Sequence, residues 1–552
     1  MLTKNGKMKK KLLYTLATVF LSTSLMAGGI MTNSNQSAAY ARLLARNASL
    51  GIDAVYYNPA GLTKLGNGFH LSLNNQSIFQ TKDVVNSYPY LHGAPEAKYT
   101  GVVEAPVFPG VYAVYKMDKL AFSFGFNPVG GGGGAKYDLG LPSFEMPISD
   151  LVPMLAATAG VTDYKADIYF EGTSVYFGYQ FGLSYEVSPS LSLFAGVRSV
   201  TAKNTYNGSI RDIMINPSIP NTPYAGSFMR ADLFGTQQAA YYTGVSTQYN
   251  TAAVGAGSLA DAGLGSYTFA QAQAAGAITA AQQAAFEGAL VAAGQPKETP
   301  IASAEVVYST VSAQAAGGAA QMTGLAAKTG DAEVDVTQTG TGYTPMFGAN
   351  LTIAEKLTLA IKYEMITKIE LTNETNIDGT GSFPNGAKSR SDMPAMLSIG
   401  ASYPVTKKLI ASLGFNYYWD KNADYGKKDD LGNPVANDVL IDNNFYEASV
   451  GLEYNLTEKF LLSAGFNYAK TGVSEEYQSD LSYSNSSNTV GFGGQYKITP
   501  AIGLNLGGLL TMYESNSKTF NHMLGTNPIP VTEDYSKSTW LLAIGLDIRI
   551  GK

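Results

Sequence analysis

The run VYFGYQFGLSYEVSPSLSLFAGVR, residues 175–198, decides the fold. Its first half alternates without a slip: Val175, Phe177, Tyr179, Phe181 and Leu183 fall on one face, and Tyr176, Gly178, Gln180, Gly182 and Ser184 on the other. A period of two is the signature of a strand whose faces meet different surroundings. Here one face is apolar with aromatic ends, and the other is small and polar. YEVSPSL then marks a turn, after which Leu191, Leu193 and Ala195 resume the apolar face.

The same turn recurs along the chain. YKMDKL at Tyr115, LTIAEKL at Leu351, YPVTKKL at Tyr403, YNLTEKF at Tyr454 and YKITPAI at Tyr496 join YEVSPSL to make six copies, the first one residue shorter. Each is flanked by alternation, as in Ala411, Leu413, Phe415, Tyr417 and Trp419 against Ser412, Gly414, Asn416 and Tyr418. Six turns join twelve strands, and one strand before them (68–79) and one after (538–550) give fourteen. Connections at the other end are long, at 82–108, 128–169, 207–341, 373–391, 422–442, 472–486 and 515–536. Short turns at one end, long loops at the other and apolar faces about ten residues tall predict a transmembrane β-barrel. Closure is obligatory, because lipid offers no partner to a strand edge. A soluble sandwich or propeller also alternates, but it does not segregate loop lengths to two ends.

Composition agrees. Only 14% of the 552 residues are charged, while Gly (59) and Tyr (36) abound. The absence of Cys excludes disulfides, thiol nucleophiles and thiolate metal sites. A net charge of -6 with no basic, aromatic-laced stripe argues against nucleic acid. Residues 1–27 have the form of a secretory signal, with Lys9, Lys10 and Lys11 before an apolar run and Ala27 at its end. Its removal takes five lysines and shifts the net charge to -11.

Residues 28–66 do not alternate. A polar, Asn-rich entry precedes 38–50, where Leu43, Leu44, Ala48 and Leu50 allow a short helix, and Asn58-Pro59 enforces a turn. This plug-like segment, AYARLLARNASLGIDAVYYNPAGLTKL, resembles the N-terminal hatch of the FadL-type outer-membrane transporters, with Asn58, Pro59 and Ala60 as the motif that closes the hatch before the first strand. The fourteen-strand count and the glycine-rich AFSFGFNPVGGGGGAKYD extend the likeness over the mature chain.

The resemblance implies an all-β, 14-stranded antiparallel barrel with a small helical hatch in its lumen: a monomeric, passive importer of hydrophobic molecules, long-chain fatty acids first among them. It places the protein in the outer membrane of a Gram-negative bacterium, with membrane lipid and lipopolysaccharide around it. It implies no enzyme activity and no cofactor. It puts Ile30 and Met31 at the ligand pocket. It also implies a lateral exit at a kink in the third strand, where Pro128, Gly130, Gly131, Gly132, Gly133 and Gly134 stand. Pro removes a ladder hydrogen bond and Gly loosens pairing, so a wall opening fits this stretch, as does a plain flexible loop. A bound fatty acid needs a lumenal cation. Arg198 and Lys362 are inward by alternation and serve as candidates, either for a ligand carboxylate or for a neighbour such as Glu364 or Glu453. A general porin and a surface adhesin are the competing functions.

Within 207–341, Thr279 caps a predicted helix ending at Gly294, and 149–159 predicts another. Asp420 to Gly426 only partly matches a calcium loop, since the Gly is one place late and Leu431 replaces the terminal Glu. The glycine run lacks the Lys-Ser/Thr of a phosphate loop, and no G-x-S-x-G elbow occurs. The chain ends on Gly551-Lys552 after Ile550, where barrels are expected to finish on an aromatic.

Overall fold

The computed structural model describes residues 30–428 and 433–551, so the signal segment lies outside the described residues. Fourteen strands close into one antiparallel barrel: β1 Gly68–Asn86, β2 Ala97–Met117, β3 Leu120–Tyr137, β4 Tyr164–Ser188, β5 Leu191–Ile215, β6 Ala332–Ile353, β7 Leu357–Glu364, β8 Met396–Pro404, β9 Leu409–Tyr418, β10 Tyr446–Asn455, β11 Phe460–Lys470, β12 Ser487–Thr499, β13 Ile502–Tyr513 and β14 Asn527–Ile550. Each pairs with its sequence neighbours, and β14 returns to β1 with Phe69 opposite Ile550 and Phe79 opposite Trp540. Short ladders at Met229–Arg230, Glu370–Asp378, Lys388–Arg390 and Asn516–Leu524 extend the sheet at the long-loop end.

The six repeated sequences are the six short turns. The long connections differ from expectation, because several strands run on past the apolar band: β1 reaches Asn86, and β4 and β5 are each 25 residues long. Leu73, Phe122, Phe181, Leu413, Leu462, Leu506 and Leu542 point outward and are exposed. On β1 and β14 this apolar exterior ends at Phe79 and Trp540, whose rings stack with centroids 4.2 Å apart. Above them the outward residues turn polar, beginning with Thr81 and Ser538. Such a belt suits the lipid interface, where an aromatic has one wet end and one greasy end.

The chain forms two compact units. Of the described residues, the first holds the barrel and hatch, within 30–147, 168–210 and 332–551; the second comprises 148–167 and 211–331. In the second, helices Ala231–Leu259 and Ile301–Lys328 pack along each other, and Ala280–Ala292 carries a capping box on Thr279. Tyr249, Phe269, Leu290 and Tyr308 form a core of their own. Leu151–Ala159 is helical as the sequence predicts.

Candidate functional site

The hatch fills the lumen. It comprises helices Ala38–Arg42 and Ala54–Tyr57 and the tight 3-10 turn Pro59–Lys64, and nearly every residue from 30 to 63 is buried. Inward glycines make the room. A Cβ at Gly400 would lie 2.5 Å from the Ala48 nitrogen, and one at Gly507 2.7 Å from the Arg42 nitrogen, so hatch backbone rests directly on barrel backbone.

Polar contacts fix its position. Arg46 grips Asp53 through two 2.7 Å bonds and donates to Ser49 at 2.7 Å. Arg42 reaches Glu453 on β10 at 2.6 Å and donates to Ser463 and Asn505. These two arginines and two carboxylates balance in charge. Asn58 donates to the Ser49 carbonyl at 3.1 Å and to Asn350 on β6 at 2.8 Å, Ser184 on β4 donates to the Pro59 carbonyl at 2.7 Å, and Ala60 packs with Phe194 and Met346. The Asn58-Pro59-Ala60 motif thus ties the hatch to three consecutive strands.

Arg198 and Lys362 face inward, and both meet Glu364: the Arg198 guanidinium at 2.7 and 3.1 Å, the Lys362 ammonium at 2.7 Å. Tyr56 of the hatch covers the pair. Lys362 donates to its carbonyl at 2.5 Å and sits 4.5 Å from its ring centroid, with the guanidinium 5.2 Å away. Two cations share one carboxylate, so the triad keeps one positive charge, and the Arg198 Nε–H has no acceptor among the described residues.

Ile30 and Met31 begin the buried segment at the wall itself. The Ile30 N–H is bonded by the Asp420 carboxylate, which also accepts from Tyr425 at 2.6 Å. Thr32 bridges to Gly130, the Asn33 N–H donates to the Val129 carbonyl at 2.9 Å, and the Gly131 N–H donates to the Met31 carbonyl at 3.1 Å. Residues 31–33 therefore pair with β3 as a short strand.

The β3 backbone accepts this partner because its usual one is missing. Pairing of β2 with β3 runs from Met117 opposite Leu120 to Val111 opposite Phe126, then resumes only at Val102 opposite Lys136. Residues 103–110 and 127–135 do not pair with each other. Pro128, Gly130, Gly133 and Gly134 keep contact with β4, but the register slips twice, and Gly131 has φ +92°. The other side of the gap was missed from sequence although its signal is plain: Pro106 and Pro109 of β2 have no N–H to give.

No family model matches the chain, and no curated protein does. Solved structures do. A FadL homologue from Pseudomonas aeruginosa is 13% identical, aligns over 95% of this chain and all of its own with a TM-score of 0.55. The chain has a FadL-type fold. The toluene transporters TodX of Pseudomonas putida (15% identity, 95% of this chain and 100% of that one, TM-score 0.49) and TbuX of Ralstonia pickettii (14%, 91% and 94%, 0.44) also match. In FadL-type terms, the barrel, the hatch and the fourteen-strand count expected from sequence are all present.

Proposed function

We propose that this protein is an outer-membrane channel for passive entry of hydrophobic molecules, with lateral release through the β2–β3 gap. The carrying observation is that gap together with its occupant, residues 31–33. In lipid an unpaired strand edge is costly, so a wall that leaves two edges apart and covers one with hatch residues rather than a barrel strand suits passage. An oily solute gains about 0.8 kcal/mol for each CH₂ kept from water, which favours a side exit into the bilayer over release into the periplasm. A lumen filled by the hatch disfavours the open-porin reading. The Arg198–Lys362–Glu364 triad is the inner carboxylate site in this scheme. Its residual positive charge receives a fatty-acid headgroup once Tyr56 withdraws.

Uptake of radiolabelled oleate and of toluene by a host lacking its own importer tests the reading. Uptake should require the protein and should fall when residues 103–110 are joined to 127–135 by an engineered disulfide, a clean test in a chain without native cysteine. Unchanged uptake in the oxidised variant would remove lateral release.

A further inference from the structure

We propose that Lys82 and Lys537 form a second anion-binding site, high in the barrel wall, that takes the carboxylate of an amphipathic ligand. It rests on the transport reading above but uses residues remote in sequence from the Arg198–Lys362 triad.

The β1–β14 register sets Lys82 directly opposite Lys537. Both point inward, since Thr81 and Ser538 beside them are exposed and the inward positions Gln80, Val84, Tyr535 and Thr539 are buried. The pair stands just above the Phe79–Trp540 rings that end the apolar exterior. Lys82 is buried and Lys537 half-buried. The Lys537 Nζ lies 4.4 Å from the ring centroid of Tyr513 and 5.9 Å from that of Tyr483.

This arrangement differs from that of four other inward cations. Arg42, Arg46, Arg198 and Lys362 each touch a carboxylate. Lys537 touches rings, and the charge bearing on it is Lys82, of the same sign. Like charges directly across a ladder repel, and aromatic faces offset only a part of that cost. Burial, and then the Lys82 ammonium, pull the Lys537 amine down to about 7; burial lowers Lys82 to about 8. An arriving carboxylate reverses both effects, because its two oxygens can accept from both amines.

The surroundings select the rest of the ligand. One inward step below the lysines, Gln80 donates to Thr539 at 2.7 Å. Below that, Ile78, Leu541 and Leu509 line three adjacent strands in register. Above the lysines, Val84 and Tyr535 face each other, and Tyr483 stacks on Tyr535 with centroids 5.1 Å apart. A charged pair set between apolar rows suits a molecule with one anionic head and an apolar body better than it suits an inorganic anion.

The test compares oleate with oleyl alcohol, which shares the chain but not the charge, on purified full-length protein in a non-ionic detergent. Lys537→Met should weaken oleate binding about tenfold, or about 1.4 kcal/mol, and leave the alcohol unchanged. Lys537→Arg should keep oleate, and Lys82→Met should repeat the loss. Heat-resistant migration on a gel verifies that each variant is folded. Oleate binding indifferent to Lys537 in a protein that still binds the alcohol overturns this site and leaves the transport reading standing. Wild-type protein that binds neither compound overturns both, and inorganic phosphate competing as strongly as decanoate would mean that the site takes any anion.

Discussion

The N–H of Gly131 in β3 donates to the carbonyl oxygen of Met31 in the hatch at 3.1 Å, so a segment of the hatch pairs with the wall. The neighbouring Gly130 allows that approach, because a side chain there would collide with the Met31 carbonyl. Gly130→Val should expel residues 31–33 from β3 and raise the conductance of single barrels in a planar bilayer. Deleting residues 30–33 should do the same, and silent membranes from both variants would show that the segment does not act as a seal.

Glu364 holds two buried cations. Glu364→Gln strands them, which should cost about 3–5 kcal/mol in urea unfolding from lipid vesicles. Replacing all three members by apolar residues should recover most of that loss, since the desolvation of three charges disappears with them. A triple variant as unstable as the single one would show that the triad stabilises in its own right.

Asn58 joins hatch to wall through Asn350 and closes the hatch on itself through Ser49. Asn58→Ala leaves two polar groups with one partner fewer, a cost of about 1–3 kcal/mol. The expected readout is faster amide exchange in residues 49–58 with the barrel strands unaffected.

Glu533 lies above the apolar band, where its carboxylate accepts from Asn86 at 2.8 Å and from the Tyr535 hydroxyl. Burial first, and then the Asp480 carboxylate, push it up to about 8, with Lys518 opposing. An acid whose folded value exceeds its unfolded one takes up a proton on folding. Its favourable contribution is therefore complete below about 4.5 and is lost as pH rises through about 8. Stability of the wild type should decline across that window, and Glu533→Gln should flatten the decline.

Much of this architecture was legible in the chain because a barrel in lipid imposes two strong patterns. Outward Val175, Phe177 and Tyr179 must be apolar, and turns such as YEVSPSL must be short, so strand number followed directly. Beyond the lipid that constraint lapses. Lys82 was read as loop because the outward Thr81 and Asp83 carry no apolar signal, although β1 continues there. Alternation placed Arg198 and Lys362 inward but carried no information on which carboxylate they meet, since Glu364 and Glu453 are equally inward by pattern. The paired helices Ala231–Leu259 and Ile301–Lys328 escaped notice because small residues hold them together. A Cβ on Gly235 would lie 2.9 Å from the Met322 carbonyl, a contact that leaves no hydrophobic stripe to read.

Arg46 and Asp53 are seven residues apart in one segment, whereas Arg42 and Glu453 are 411 apart. The first clasp can close as soon as its own stretch of chain exists, at small loop-closure cost, while the second must wait for β10. The stopper is therefore able to take shape early and to be wrapped by the staves as they arrive. The β14–β1 seam closes the wall on the strand to which the stopper is tethered.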